Sequence, residues 1–252
     1  MTKIVAVANH KGGVGKTTTA VNIGAGLSSG KKGKTVLLID LDPQANLTQS
    51  LGIKAPERTV YGSLRDEYPL TPIKINENLF VVPSTIDLAG AEVELNTEAG
   101  REFVLKELIE PLKKKYDYIF IDCPPSLSLL TLNALTAADE VYVPMQSEYL
   151  AMHGLSKLLD IIEKTKKRLN KSLSLGGVIL TMHDARKVLH RDIAKTINTN
   201  FKDKVFDTKI RDTVALAEAP VKGLDIFRYA PKSNGAVDYA NLCAEILGKK
   251  AK

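Results

Sequence analysis

Asn9-His10-Lys11-Gly12-Gly13-Val14-Gly15-Lys16-Thr17-Thr18 is the stretch whose reading decides the fold. It follows the apolar run Ile4-Val5-Ala6-Val7-Ala8, which reads as a buried parallel strand, and it leads into Thr19–Leu27, which reads as a helix. Strand, glycine loop and helix in that order form a phosphate-binding arrangement. The backbone N–H groups of Gly12, Gly13, Val14, Gly15, Lys16, Thr17 and Thr18 can turn inward around phosphate oxygens, and the helix N-terminus adds partial positive charge. Lys16 can reach the terminal phosphates, and the Thr17 hydroxyl can ligate Mg2+. The common loop has a glycine five residues before its Gly-Lys pair. Here that position is His10, and an additional lysine, Lys11, follows it.

The chain has 252 residues, 44% of them hydrophobic, which is enough for one large α/β domain with a well-buried sheet. No linker rich in Pro, Gly and Ser divides it, so residues 1–252 are expected to form a single domain. The N-terminus enters the first strand without a charged-then-apolar leader, and no apolar run approaches the length of a membrane span. A soluble cytoplasmic protein is the expectation. Cys123 and Cys243 lie far apart without metal-type spacing and read as buried thiols in a reducing compartment. The net charge of +6 is unevenly distributed: residues 1–150 carry 15 Lys and Arg against 18 Asp and Glu, and residues 151–252 carry 20 against 11. A basic C-terminal half suits a polyanion-binding face and suits a solvated lysine-rich surface equally well.

Downstream, Lys31–Lys34 reads as a turn and Thr35–Ile39 as a second buried strand, ending in Asp40-Leu41-Asp42-Pro43-Gln44. Carboxylates at the C-terminal end of a parallel strand sit where open α/β sheets bind ligands, although Asp also caps helices. Residues 45–78 read as loop with a short helical stretch near Val60–Arg65, Leu79–Val82 as a strand, and Arg101–Lys115 as a helix. Tyr116–Asp122 reads as a strand, apolar over Ile119–Ile121, ending in the carboxylate that holds the Mg2+ shell in P-loop nucleotide hydrolases. Cys123-Pro124-Pro125-Ser126 breaks that strand before a helix at Leu127–Ala137, where a loop responsive to the terminal phosphate would lie. Glu140–Pro144 and Gly177–Thr181 read as strands. Between them runs a helix whose apolar face, Leu155, Leu158, Leu159 and Ile162, reads as core or dimer packing. Asp184–Asn200 and Val237–Leu247 read as helices, and Lys209–Arg211 and Leu224–Phe227 as strands closing the sheet. Strands alternating with helices predict a doubly wound, mostly parallel α/β sheet flanked by helices, the P-loop NTPase fold.

Lys11–Thr18, Asp40–Asn46, Tyr118–Ser126, Pro144–Glu148, Leu180–Arg186, Glu218–Pro220 and Ala230–Ala236 together resemble, in order, the ParA/Soj partition ATPases of the deviant Walker A class. The resemblance runs from about residue 3 to residue 248, and the later blocks favour this branch over MinD-type, arsenite-pump or nitrogenase-reductase relatives. It implies ATP and Mg2+ as cofactors. Lys11 would be the class's extra lysine, reaching across a two-fold interface to the partner subunit's nucleotide. Such a cation stabilises developing phosphoryl charge as an arginine finger does. Lys16 would act on the same phosphates. Asp42 would orient or deprotonate the attacking water, Thr17, Asp122 and Asp40 would hold the Mg2+ shell, and Met182, Ile210 and Arg211 would lie against adenine.

The resemblance further implies an ATP-dependent homodimer that binds DNA without sequence preference, associates with the nucleoid, and is stimulated by a ParB-type partner. Arg186, Lys187, Arg191, Lys195, Lys222 and Arg228 are the candidate DNA contacts. The chain departs from the family at Asp212 and Ala215, where relatives often carry arginine. No N-terminal helix-turn-helix precedes the loop, so sequence-specific repression is not expected. Two other classes compete: a MinD-like membrane-associated ATPase, for which Asn241–Lys252 offers too little apolar surface, and an ATP-dependent metabolic ligase or amidotransferase. Stable membrane association is not expected.

Overall fold

The computed structural model of the chain describes residues 1–30, 32–148 and 151–248, with the backbone alone for 151–154. Lys31 of the expected turn and residues 249–252 of the expected C-terminal tail lie outside the described residues. In chain order the first half runs β1 (Lys3–Val7), α1 (Lys16–Ser28), β2 (Val36–Asp40), α2 (Asn46–Ser50), α3 (Val60–Leu64), β3 (Ile73–Lys74), β4 (Leu79–Val82), α4 (Leu88–Leu95) and α5 (Val104–Ile109). The second half runs β5 (Tyr118–Asp122), α6 (Leu129–Ala137), β6 (Glu140–Gln146), α7 (Ala151–Arg168), β7 (Ser174–Thr181), α8 (Val188–Phe201), α9 (Val214–Val221), α10 (Ile226–Tyr229) and α11 (Asn234–Ile246).

The strands form a seven-stranded sheet in the order β3-β4-β2-β5-β1-β6-β7, parallel throughout except for β3 at its edge. Alternation along each strand assigns side chains to two layers. Ile4, Ala6, Leu37, Ile39, Ile119 and Ile121 point into one layer, packed by Leu105 and Ile109 of α5, Leu130 of α6 and Leu155, Leu158 and Ile162 of α7. Val5, Val7, Val36, Leu38 and Phe120 point into the other, packed by Ala20, Ile23 and Leu27 of α1 and by Tyr239, Leu242 and Cys243 of α11. Covering on both faces is why these strands are apolar at nearly every position. The Leu155–Ile162 stripe is therefore core.

Helix α1 approaches the sheet closely enough to require a glycine. A Cβ at Gly24 would lie 2.7 Å from Leu38 Cδ2. Both cysteines are free and buried, as expected, and burial pushes both thiols up, Cys243 to about 12.

Four expectations are corrected. Lys209–Arg211 and Leu224–Phe227 are not strands of the sheet. The former is tied to the end of β7 by Ile210 N–H to Leu180 O (2.8 Å) and a bridge between His183 and Arg211, and the latter turns into α10 because the Asp225 carboxylate accepts from Arg228 N–H as a cap. The helix expected over Arg101–Lys115 is confined to α5 and a 3-10 turn at Glu110–Leu112, since Pro111 cannot supply a helical N–H. The helix expected from Asp184 starts at Val188, because Asp184 instead accepts from Arg186 N–H (3.0 Å) in a tight turn. Residues 45–78 contain α2 and β3 where loop was expected around the short helix.

Candidate functional site

β1 lies between β5 and β6, and its last residue, Val7, pairs in register with Asp122, which in turn pairs with Asp40 of β2. The loop after β1, the carboxylate ending β5 and the Asp40–Asp42 segment after β2 therefore open on the same edge of the sheet. This is the crevice beyond the carboxyl ends of the strands where such folds bind ligands. Gly13 (φ 72°) and Gly15 (φ 85°) take left-handed conformations that favour glycine, and no atom lies within 4 Å of where a Cβ of Gly12 or Gly13 would sit. The loop is an open cradle of N–H groups at the start of the 13-residue helix α1. Two hydrogen bonds brace it: Thr181 Oγ1 donates to Val14 O (2.8 Å), and Asn9 Nδ2 donates to Pro144 O (2.8 Å).

Lys16 is 6% exposed, and its Nζ donates to Lys11 O at 3.3 Å. Burial lowers its pKa, opposed by the neighbouring Asp122, Cys123 and Asp42. Thr17 Oγ1 donates to Asp122 Oδ2 at 2.7 Å, while the other oxygen, Oδ1, is buried without a hydrogen-bond partner. Burial pushes the Asp122 carboxyl well above the usual carboxylate range, with Asp40 adding to the effect. An orphaned carboxylate oxygen beside a threonine hydroxyl and a phosphate cradle fits the outer shell of a phosphate-bound Mg2+. Among the described residues no cluster of three or more His, Cys, Asp or Glu could hold a metal by itself.

Asp40, expected in the Mg2+ shell, is hydrogen-bonded through both carboxylate oxygens. Its Oδ2 accepts from Thr48 N (2.8 Å) and Thr48 Oγ1 (2.6 Å), and its Oδ1 accepts from Asp42 N at 3.3 Å. Its carboxyl is raised to about 6, chiefly by burial, with the Thr48 bonds opposing. Asp42 is 6% exposed and its Oδ1 accepts from Gln44 N at 2.9 Å. Lys11 folds across its own subunit: its Nζ donates to Gln146 Oε1 (3.1 Å) and to Glu148 Oε2 (2.6 Å).

Beside the loop lies a cavity of about 180 Å³ lined by Gly15, Thr18, Thr181, Met182, Ile210, Arg211, Thr213, Leu216 and Tyr239. All three residues expected against adenine line it. Met182 takes φ 50°, and Arg211 is tied to Asp238 through Nε, Nη2 (2.6 Å) and its backbone N–H (2.9 Å).

A family model described as an AAA domain matches residues 2–175. The sporulation initiation inhibitor protein Soj of Bacillus subtilis is 49% identical over 251 residues, covering 98% of each chain. The chromosome-partitioning ATPase Soj of Treponema pallidum is 45% identical, covering 99% of this chain and 98% of its own. The chain belongs to the ParA/Soj family of partition ATPases. Among solved structures, cobyrinic acid a,c-diamide synthase from Mycobacterium smegmatis with bound ATP analog and magnesium is similar at a TM-score of 0.86 and 37% identity, over 100% of this chain and 98% of that one. This ParA/Soj chain is an ATPase of the P-loop fold.

The six candidate DNA contacts of the ParA/Soj chain fall into two groups. Arg186, Lys187, Arg191 and Lys195 lie together at the turn before α8 and along its exposed side, where Lys209, which sequence reasoning passed over, joins them. Lys222 and Arg228 lie on the other face of the sheet, next to α9 and on α10, and Arg228 is ion-paired with Asp225. Arg186 pairs with Asp184 at 2.9 Å, which lowers the Asp184 carboxyl strongly. Sequence reasoning also gave no role to Thr48, in the short helix α2, or to Ser84, just past β4; an isolated hydroxyl residue carries no local signal.

Proposed function

We propose that this ParA/Soj chain binds ATP with Mg2+ in the loop of residues 11–18, closes into a sandwich dimer, binds DNA non-specifically in that state, and thereby positions a chromosome, plasmid or other cargo over the nucleoid. The observation that carries the nucleotide part is the hydrogen bond from Thr17 to the buried Asp122 carboxylate, which keeps one oxygen orphaned beside Lys16. Mg2+, when bound, would neutralise charge on the phosphate oxygens. Lys16 would hold the terminal phosphates, Asp42 would orient the attacking water, and Met182, Ile210 and Arg211 would enclose the base. Lys11 would be supplied to the partner's nucleotide. Its ion pair with Glu148 is exposed, at 38% and 49%, and pairs of that kind are worth about 0–1 kcal/mol, while its contact to Gln146 is a single part-buried hydrogen bond, so the lysine is free to change partners. A subunit alone then lacks a cation that the transition state needs, and weak basal turnover follows, to be raised by a ParB-type activator.

The DNA part rests on the basic cluster around α8. Phosphate contacts of this kind weaken steeply with salt. Titration of DNA by gel shift or light scattering, with ATP, ADP and no nucleotide across a salt series, tests the whole reading. Binding confined to ATP and falling with salt is expected; equal binding in all three states would overturn the switch. The 37% identity to a protein named as a diamide synthase favours one second reading, an ATP-dependent amide-forming enzyme. Brisk ATP consumption without DNA or a protein activator, coupled to amidation of a carboxylate substrate, would establish it instead. Among the described residues no helix is long and apolar enough to cross a membrane, and ATP-dependent pelleting with liposomes would mark the MinD-like alternative.

A further inference from the structure

Behind Asp42 runs a closed hydrogen-bonded circuit that joins the ends of two neighbouring strands. At the end of β2, Asp40 Oδ2 accepts both the N–H (2.8 Å) and the hydroxyl (2.6 Å) of Thr48. With its proton committed to Asp40, the Thr48 hydroxyl oxygen is left as an acceptor, and it takes Ser84 N–H at 2.9 Å. Ser84 lies just past the end of β4, the neighbour of β2 in the sheet. Its own hydroxyl donates to the carbonyl of Asp42 at 2.9 Å. The circuit closes where Asp42 N–H donates to Asp40 Oδ1 at 3.3 Å.

Both backbone polar groups of Asp42 are thus held, the N–H by the carboxylate at the end of β2 and the carbonyl by the hydroxyl beyond β4 together with Ala45 N–H (2.9 Å), and Thr48 links the carboxylate to Ser84. Every member is buried: Asp40 0%, Ser84 1%, Thr48 2% and Asp42 6% exposed. In such surroundings a hydroxyl-to-carboxylate bond is strong, and a satisfied network fixes one geometry. A water-orienting carboxylate needs that rigidity, because displacement by about 1 Å costs on the order of 100-fold in rate.

We infer that Thr48 and Ser84 are positioning residues that set the place of Asp42 for hydrolysis. They act through its backbone and touch neither phosphate nor base. The inference rests on the water-orienting role proposed for Asp42, and it assigns Asp40 to this circuit through both of its oxygens.

The test compares Thr48→Val, which removes the hydroxyl at nearly constant volume, with Thr48→Ser, Ser84→Ala and Asp42→Ala. It measures kcat, KM for ATP, affinity for a fluorescent ATP analogue, and thermal unfolding. Thr48→Val is expected to lower kcat by about 10-fold or more, the lower part of the range for such misplacement, with KM and nucleotide affinity within about 2-fold of the parent. Thr48→Ser should restore kcat, and Ser84→Ala, which leaves the Asp40–Thr48 bonds intact, should give a smaller fall of the same kind. Loss of nucleotide affinity in step with kcat, or Thr48→Ser as impaired as Thr48→Val, would overturn the inference. So would parental kcat in Thr48→Val alongside an inactive Asp42→Ala. Full turnover in Asp42→Ala would instead overturn the role of Asp42 itself. Should Thr48→Val fail to fold, Ser84→Ala decides: parental kcat overturns the inference, and a lowered kcat with KM kept supports it.

Discussion

Ala45 sits at φ 53° immediately before α2, in the loop that carries Asp42. A left-handed residue with a Cβ costs roughly 1–2 kcal/mol, partly offset on replacement by the greater freedom of glycine in the unfolded chain. Ala45→Gly is therefore expected to stabilise the nucleotide-free chain by about 0.5–1 kcal/mol, seen as a rise of a few degrees at most in Tm. Asp40 gives a second prediction. Its carboxyl, raised from 3.8 to about 6, keeps its proton in the folded chain where the unfolded chain has released it. Its contribution to stability is full below pH 3.8 and is lost as pH rises through about 6, with a ceiling of ~3 kcal/mol. Asp40→Asn removes that dependence while keeping an acceptor for Thr48. The Tm of the variant relative to the parent should therefore be higher at pH 7.5 than at pH 4.5, and an equal difference at both pH values would contradict the assignment. At this scale the sequence singled out Lys16, Thr17 and Asp122 by the order of strand, glycine loop and strand-ending carboxylate, and the fold brings the three side chains together. Thr48 and Ser84 stayed hidden, since 36 residues separate partners that only the β2–β4 pairing brings together.

At the scale of elements, every central strand was legible because continuous apolar runs admit few alternatives at strand length. β2 and β4 were found to within a residue and β5 to within two. The failures came where four-residue patterns were read without their caps: Leu224–Phe227 looks extended until Asp225 is seen to cap α10. α2, α4 and α9 were missed because each is short and takes its stability from packing, with little periodic signal of its own. α1 supplies the prediction here. Leu38 is fully buried beneath Gly24, its Cδ2 2.7 Å and its Cδ1 and Cγ 3.3 Å from where an added Cβ would sit. Gly24→Ala should lower stability by about 1–3 kcal/mol despite alanine's better helix propensity, as denaturant unfolding would show. Adding Leu38→Ala should recover less than additively expected loss, because the two substitutions share one contact. Independent, additive effects would show that the close approach is not what requires glycine.

At the scale of the whole molecule, one chain brings together an open glycine loop, the buried Asp122 carboxylate with one unpartnered oxygen, and an Asp42 held at both backbone polar groups. Its additional lysine is turned toward Gln146 and Glu148 of its own chain. In the proposed function ATP redirects this lysine to a second copy, so that nucleotide occupancy is read out as a dimer able to hold DNA. Charge asymmetry between the halves pointed toward the α8 cluster, but composition could not show that Arg186 and Arg228 are each engaged by a neighbouring aspartate. Lys187, Arg191, Lys195 and Lys209 are accordingly the residues whose replacement by alanine should weaken DNA binding most and flatten its salt dependence. The most direct measurement of the central claim is the molar mass of Asp42→Ala by light scattering with Mg2+ and ATP, with Mg2+ and ADP, and after addition of Lys11→Ala to the same chain. The account predicts a stable dimer with ATP, a monomer with ADP, and loss of the ATP dimer when Lys11 is removed. A monomer in ATP, or a dimer indifferent to nucleotide and to Lys11, would contradict it.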